Sequence, residues 1–158
     1  MTGAGRDSGE RDPAMSAERR LKLLLRVLGG VTVTAIVPAL MPLSWMDAVH
    51  RRLGMGPLPP GPIVEYLARS LSALYAVLGG LVLLISAAPR RHAVIVTYVG
   101  VVCVLAGPAA VVLGIAAGLP AWWTAAEGPV LLPVGVAILL LQARGRRRRP
   151  DPETAPPA

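Results

Sequence analysis

IVEYLARSLSALYAVLGGLVLLISAAPRRHAVIVTYVGVVCVLAGPAAVVLGIAAGL, residues 63–119, decides the fold. Two long apolar runs, 63–87 and 93–119, flank the tight polar turn APRRH at 88–92. Each run exceeds the ~20 residues that carry an α-helix across a hydrocarbon core of ~30 Å. The stretch therefore predicts two consecutive membrane spans.

Upstream, residues 21–43 form another apolar run, again long enough to cross. It is too long for the apolar part of a signal peptide and no A-x-A site follows, so it reads as an uncleaved first span. Pro38 and Pro42 are expected to bend or loosen its far end. In SWMDAVHRRLGMG, residues 44–56, Trp45, Val49 and Leu53 recur at i, i+4 and i+8, while Asp47 and Arg51 pair on another face. With Gly54 as its stop, this is a short amphipathic helix suited to the membrane surface. PLPPGP, residues 57–62, is an extended linker. Downstream, 129–143 alone would give only about 22 Å of helix, so the fourth span is expected to run 121–143 and to include WWTAAEG. The expected architecture is all-α: a four-helix transmembrane bundle over 16–143 with an interfacial helix between spans 1 and 2. Ser16 is its N-terminal cap, with helix from Ala17. Residues 1–15 and 144–158 are polar and read as disordered tails.

Composition agrees. Of 158 residues, 54% are hydrophobic, and the net charge of +7 is mostly arginine, Lys22 being the only lysine. The basic residues flank apolar blocks, which accounts for them without nucleic acid. Abundant Ala, Val, Gly, Pro and Arg point to a GC-rich bacterial coding sequence. Twelve basic residues lie on the side of the termini and the 88–92 turn: Arg6, Arg11, Arg19, Arg20, Lys22, Arg90, Arg91, Arg144 and Arg146 through Arg149. Only Arg51 and Arg52 lie opposite. The positive-inside rule then puts both termini in the cytoplasm of an inner-membrane protein. RGRRRR, residues 144–149, is chiefly a topology determinant and a place where anionic lipid would gather. Cys103 stands alone and His50 and His92 lie in different connections, so no disulfide, metal site or haem is expected.

Ionisable residues inside the spans draw attention. Glu65 and Arg69 open the second span, and Glu127 lies in the fourth. Arg69 and Glu127 are each expected ~9 Å below the outer boundary. Such groups face a bundle interior and a partner. For Arg69 the candidates are Glu65, one turn away, and Glu127 across the bundle. From Glu65, Arg69, Ser72, Ala76, Gly79, Leu83 and Ser86 make a small, polar face, with Leu67, Leu71, Leu74, Leu78, Leu81 and Leu84 opposite. An outward polar pocket would use Glu65, Arg69, Glu127, Tyr66 and Ser72, rimmed by the interfacial anchors Trp45, Trp122 and Trp123. A structural ion pair with an aromatic belt explains the same residues. In the third span Gly100, Cys103, Gly107, Ala110, Gly114 and Ala117 form a small-residue stripe, with Gly114 and Gly118 as GxxxG; it suits packing within the chain or a homo-oligomer.

WMDAVHRRLGMG (45–56), IVEYLARSLSALYAVLGG (63–80) and WWTAAEGP (122–129) together resemble a group of small, uncharacterised bacterial four-span membrane proteins. The resemblance implies the architecture and a bacterial inner membrane, and no activity. The first span lacks the carboxylate of small multidrug exporters, and one cysteine excludes a thiol oxidoreductase built on cysteine pairs. Three functions compete. A non-enzymatic structural or partner-binding bundle leads. A binder or transporter of a small anionic or lipid ligand at Arg69 follows. An enzyme acting on lipid or quinone, with Glu65 or Glu127 as acid–base and Arg69 stabilising charge, comes third because no nucleophile or metal accompanies them.

Overall fold

The computed structural model describes residues 13–146. Six helices follow one another: α1 (Pro13–Val33), α2 (Ile36–Leu40), α3 (Leu43–Arg52), α4 (Pro62–Ser86), α5 (Ala93–Ala116) and α6 (Ala121–Arg146). There is no strand among the described residues. Four segments are long and apolar enough to cross a membrane: Ala17–Leu40, Pro62–Ala87, Ala93–Ala116 and Ala121–Gly145.

The ends of these helices have local causes. The chain is already helical at Pro13, ahead of the expected Ala17, so 13–15 are helical rather than tail. The remaining tail residues, 1–12 and 147–158, lie outside the described residues. The first span breaks at Thr34–Ala35, four residues before Pro38. That is where the ring of Pro38 presses on a carbonyl and withholds an N–H. The chain there tightens to bonds from Thr34 N to Val31 O, Ala35 N to Thr32 O and Val37 N to Thr34 O. α5 stops at Ala116 because Gly118 turns left-handed at φ 67°, with Leu119 N–H donating to Gly114 O and Gly118 N–H to Ile115 O. Gly118 thus closes a helix, and a Cβ there would meet open space. Gly54 (φ 74°) ends α3 in the same way. α6 runs unbroken from Ala121 through Pro129 and Pro133, so WWTAAEG belongs to the fourth span's helix.

Neighbours pack in the order α4, α1, α6, α5; α4 and α5 barely touch although a short turn joins them. Burying leucine in place of lipid yields little, so close backbone contact decides these pairs. Gly29 and Gly79 let α1 and α4 meet: a Cβ on Gly79 would lie 2.5 Å from Val33 N and 2.9 Å from Gly29 O. Between α5 and α6 the contact is repeated. Gly107 and Gly114 meet Gly128 O and Thr124, and Gly135 faces Gly100 O. The seven-residue spacing of Gly100, Gly107 and Gly114, matched by Gly128 and Gly135, keeps each set on one face of its helix.

Only at the end carrying both termini do all four long helices share a core, built from Leu21, Leu25, Ile85, Val96 and Ile138. Polar clamps fix that end. Glu18 bridges Lys22 (3.1 Å) and Arg90 (2.9 Å), tying the 87–92 turn to α1. Buried Gln142 donates to Ala93 O and pairs with Thr97 Oγ1 at 3.1 Å, joining the last turns of α6 to the first of α5.

Candidate functional site

At the opposite end, α4 opens with Gly61 and Pro62, which put Glu65 in its first turn, where a carboxylate complements the helix dipole. One turn on, Arg69 Nε donates to Glu65 Oε1 at 3.0 Å and Nη1 donates to Ala39 O at 3.1 Å. The second bond answers a need created by the first span. At Met41 the chain leaves α2 for an extended conformation, and Ala39 O finds no helical N–H. Arg69 reaches back to that carbonyl and fastens α2 to α4.

Of the two partners open to Arg69, the structure joins it to Glu65. Glu127 instead accepts a 2.8 Å bond from Trp123 Nε1 on an exposed side of α6, and α6 does not pack on α4. Tyr66 turns outward, 69% exposed, while Ser72 is half-buried a turn farther along α4. The cluster is therefore Glu65, Arg69 and Ala39, without Glu127 or Tyr66. Its ion pair is neither dry nor free, with side chains 34% and 41% exposed. Trp45 and Trp122 are exposed and Trp123 is half-buried; the Trp122 and Trp123 rings meet edge-on with centroids 5.5 Å apart. These positions fit an aromatic belt. Neither histidine nor Cys103 hydrogen-bonds this cluster: His50 lies on α3, His92 precedes α5 at the other end, and Cys103 is buried in α5. Among the described residues no three His, Cys, Asp or Glu side chains gather as a metal site would require.

A second polar contact holds the linker. Asp47 Oδ1 accepts the Leu58 N–H at 2.8 Å and Oδ2 accepts Arg51 Nε at 2.8 Å. The spacing shows the Arg51 pair, but nothing in it points to Leu58, a backbone donor in a proline-rich loop. The Leu58 N–H first, and Arg51 second, hold the Asp47 carboxyl below its ordinary 3.8. A carboxyl lowered on folding stabilises the tether above its ordinary value and loses that contribution as pH falls through the lowered one. Amide exchange at Leu58 is thus expected to stay protected from neutral pH down to the ordinary carboxylate range and to lose protection below 3.8. In Asp47→Ala the protection should be missing at every pH; an amide equally protected in that variant rules the tether out.

Comparison with protein-family models, with curated proteins and with solved structures finds no match to this chain.

Proposed function

We propose that this four-span protein is a non-enzymatic bundle of a bacterial inner membrane, structural or partner-binding, with both termini in the cytoplasm. The observation that carries the reading is the use made of Arg69. The ionisable group best placed to serve a ligand donates to Glu65 and to a stranded carbonyl of its own chain. The orientation is supported by the arginine distribution, twelve basic residues on the side of the termini against two opposite.

Two measurements test it. In a Cys103→Ser background, cysteine at Ala48 is expected to react with an impermeant thiol reagent in intact cells, and cysteine at Ala88 only after permeabilisation. The reverse pattern sinks the orientation. A photo-crosslinking residue at exposed Leu74 or Val112 is expected to give a discrete protein adduct in native membranes. If only lipid adducts form at both positions, the partner-binding role is lost and a purely structural one is left.

One observation favours the ligand-binding alternative. Arg69 Nη2 and Glu65 Oε2 have no partner among the described residues, and the guanidinium keeps an accessible edge suited to a carboxylate or phosphate. Native mass spectrometry in gentle detergent checks it: a bound small anion or lipid lost in Arg69→Ala supports this reading.

A further inference from the structure

We propose that the outward face of α1, near the termini, holds the headgroup of an anionic phospholipid, its phosphate seated between Arg26 and Arg19 with Lys22 beside them. The site uses other residues than the Arg69 cluster and the RGRRRR tail, and it needs only that α1 crosses a bilayer.

Arg19 and Arg26 are seven residues apart, so they fall on nearly the same line along the helix, with Lys22 one step to the side. That line runs opposite the buried seam of Ala17, Leu21 and Leu25. Both arginines are exposed, and so are Leu23, Val27 and Val31 around and beyond them. In a membrane-crossing helix this is the lipid-facing surface. Glu18 marks the level of the 87–92 turn through its bond to Arg90. Arg26 lies eight residues farther in, about 12 Å along the axis. Helical side chains lean toward the N-terminus, so Arg26 extends back over the turn that carries Lys22 and Arg19.

A guanidinium at that depth on a lipid face requires a counter-charge. Among the described residues the protein supplies none: Arg26 makes no hydrogen bond or ion pair, and Glu18, the nearby carboxylate, is engaged by Lys22 and Arg90. What remains within reach is a headgroup phosphate. Among the described residues the patch sets four cations, Arg19, Lys22, Arg26 and Arg90, around one carboxylate, Glu18, an excess that selects an anionic headgroup over a zwitterionic one. Inorganic phosphate shares the charge but has no acyl chains to lie along Leu23, Val27 and Val31.

The test uses the full chain in gentle neutral detergent. Phosphatidylglycerol, phosphatidylcholine and inorganic phosphate are titrated separately, reading melting temperature and, by native mass spectrometry, retained lipid. Phosphatidylglycerol is expected to raise the melting temperature of the wild type while the other two do not. Apparent affinity should fall roughly fivefold for each cation removed in Arg26→Gln and in the Arg19→Gln, Arg26→Gln pair. Arg26→Lys should keep most of it. A variant with Arg146 through Arg149 changed to glutamine should keep it too. Lipid-free melting of each variant separates loss of binding from loss of fold. Equal phosphatidylglycerol affinity in the wild type and the double variant overturns the proposal. So does an effect abolished by the tail changes alone, or matched by phosphatidylcholine or inorganic phosphate.

Discussion

Gly79→Ala is expected to cause a large fall in thermal stability in mild detergent, about 3 kcal/mol. One methyl group is enough because of what it would strike. At Gly79 the new Cβ would stand 2.5 Å from Val33 N and 2.8 Å from Thr32 C. Backbone atoms cannot rotate aside as a side chain can, so α1 and α4 must separate along their length. Gly135→Ala should behave alike, since its Cβ would lie 2.6 Å from Gly100 O and 2.7 Å from Val104 N. The neighbouring Gly80→Ala is the control: nothing lies within 4 Å of its Cβ, and alanine is the better helix former by about 1 kcal/mol. If Gly79→Ala and Gly80→Ala melt together, close backbone contact does not hold the first pair of spans.

These glycines also show what the sequence could and could not reveal. The spans were legible because length and apolarity suffice: α4, α5 and α6 begin at Pro62, Ala93 and Ala121, within a residue of the expected 63, 93 and 121. The inward face of α4 was legible too. Ala76, Gly79 and Ser86 are buried, whereas Leu67, Leu71, Leu74, Leu78, Leu81 and Leu84 are exposed. Pairing was not legible. A small-residue stripe says that a helix comes close to something without naming the other helix, and the short 87–92 turn between α4 and α5 gives no hint that they stay apart. Gly128 and Gly135 could be recognised as the counterparts of Gly107 and Gly100 only once both helices were placed, since each lies within two residues of a proline that points to a kink instead. In the candidate site, the Glu65–Arg69 pair follows from i, i+4 spacing. The Ala39 contact does not, because a backbone carbonyl has no signature. Pro38 and Pro42 signal that carbonyls near the end of the first span lose their donors, but they do not tell which side chain, thirty residues away, supplies the replacement.

That replacement makes Arg69→Ala the second large effect, an expected loss of about 1–3 kcal/mol. Two groups are stranded at once: Ala39 O loses its donor and Glu65 keeps a charge without a partner inside a span. The loss should exceed that of an exposed ion pair, typically below about 1 kcal/mol, because the bond to Ala39 also fixes where α2 lies on α4. Arg69→Lys should fall between, since one ammonium does not reproduce a planar fork directed at a carboxylate and a carbonyl together. Glu65→Gln should cost less than Arg69→Ala, because the amide oxygen still accepts from Nε and the Ala39 bond survives. Melting of these three variants in one detergent separates the two readings of the cluster. The order Arg69→Ala, then Arg69→Lys, then Glu65→Gln, from most to least destabilised, belongs to a clamp on a broken helix. An Arg69→Ala protein that melts at or above the wild-type temperature shows that the fold does not need the charge, and a guanidinium kept inside a span against its desolvation cost must then be serving a ligand.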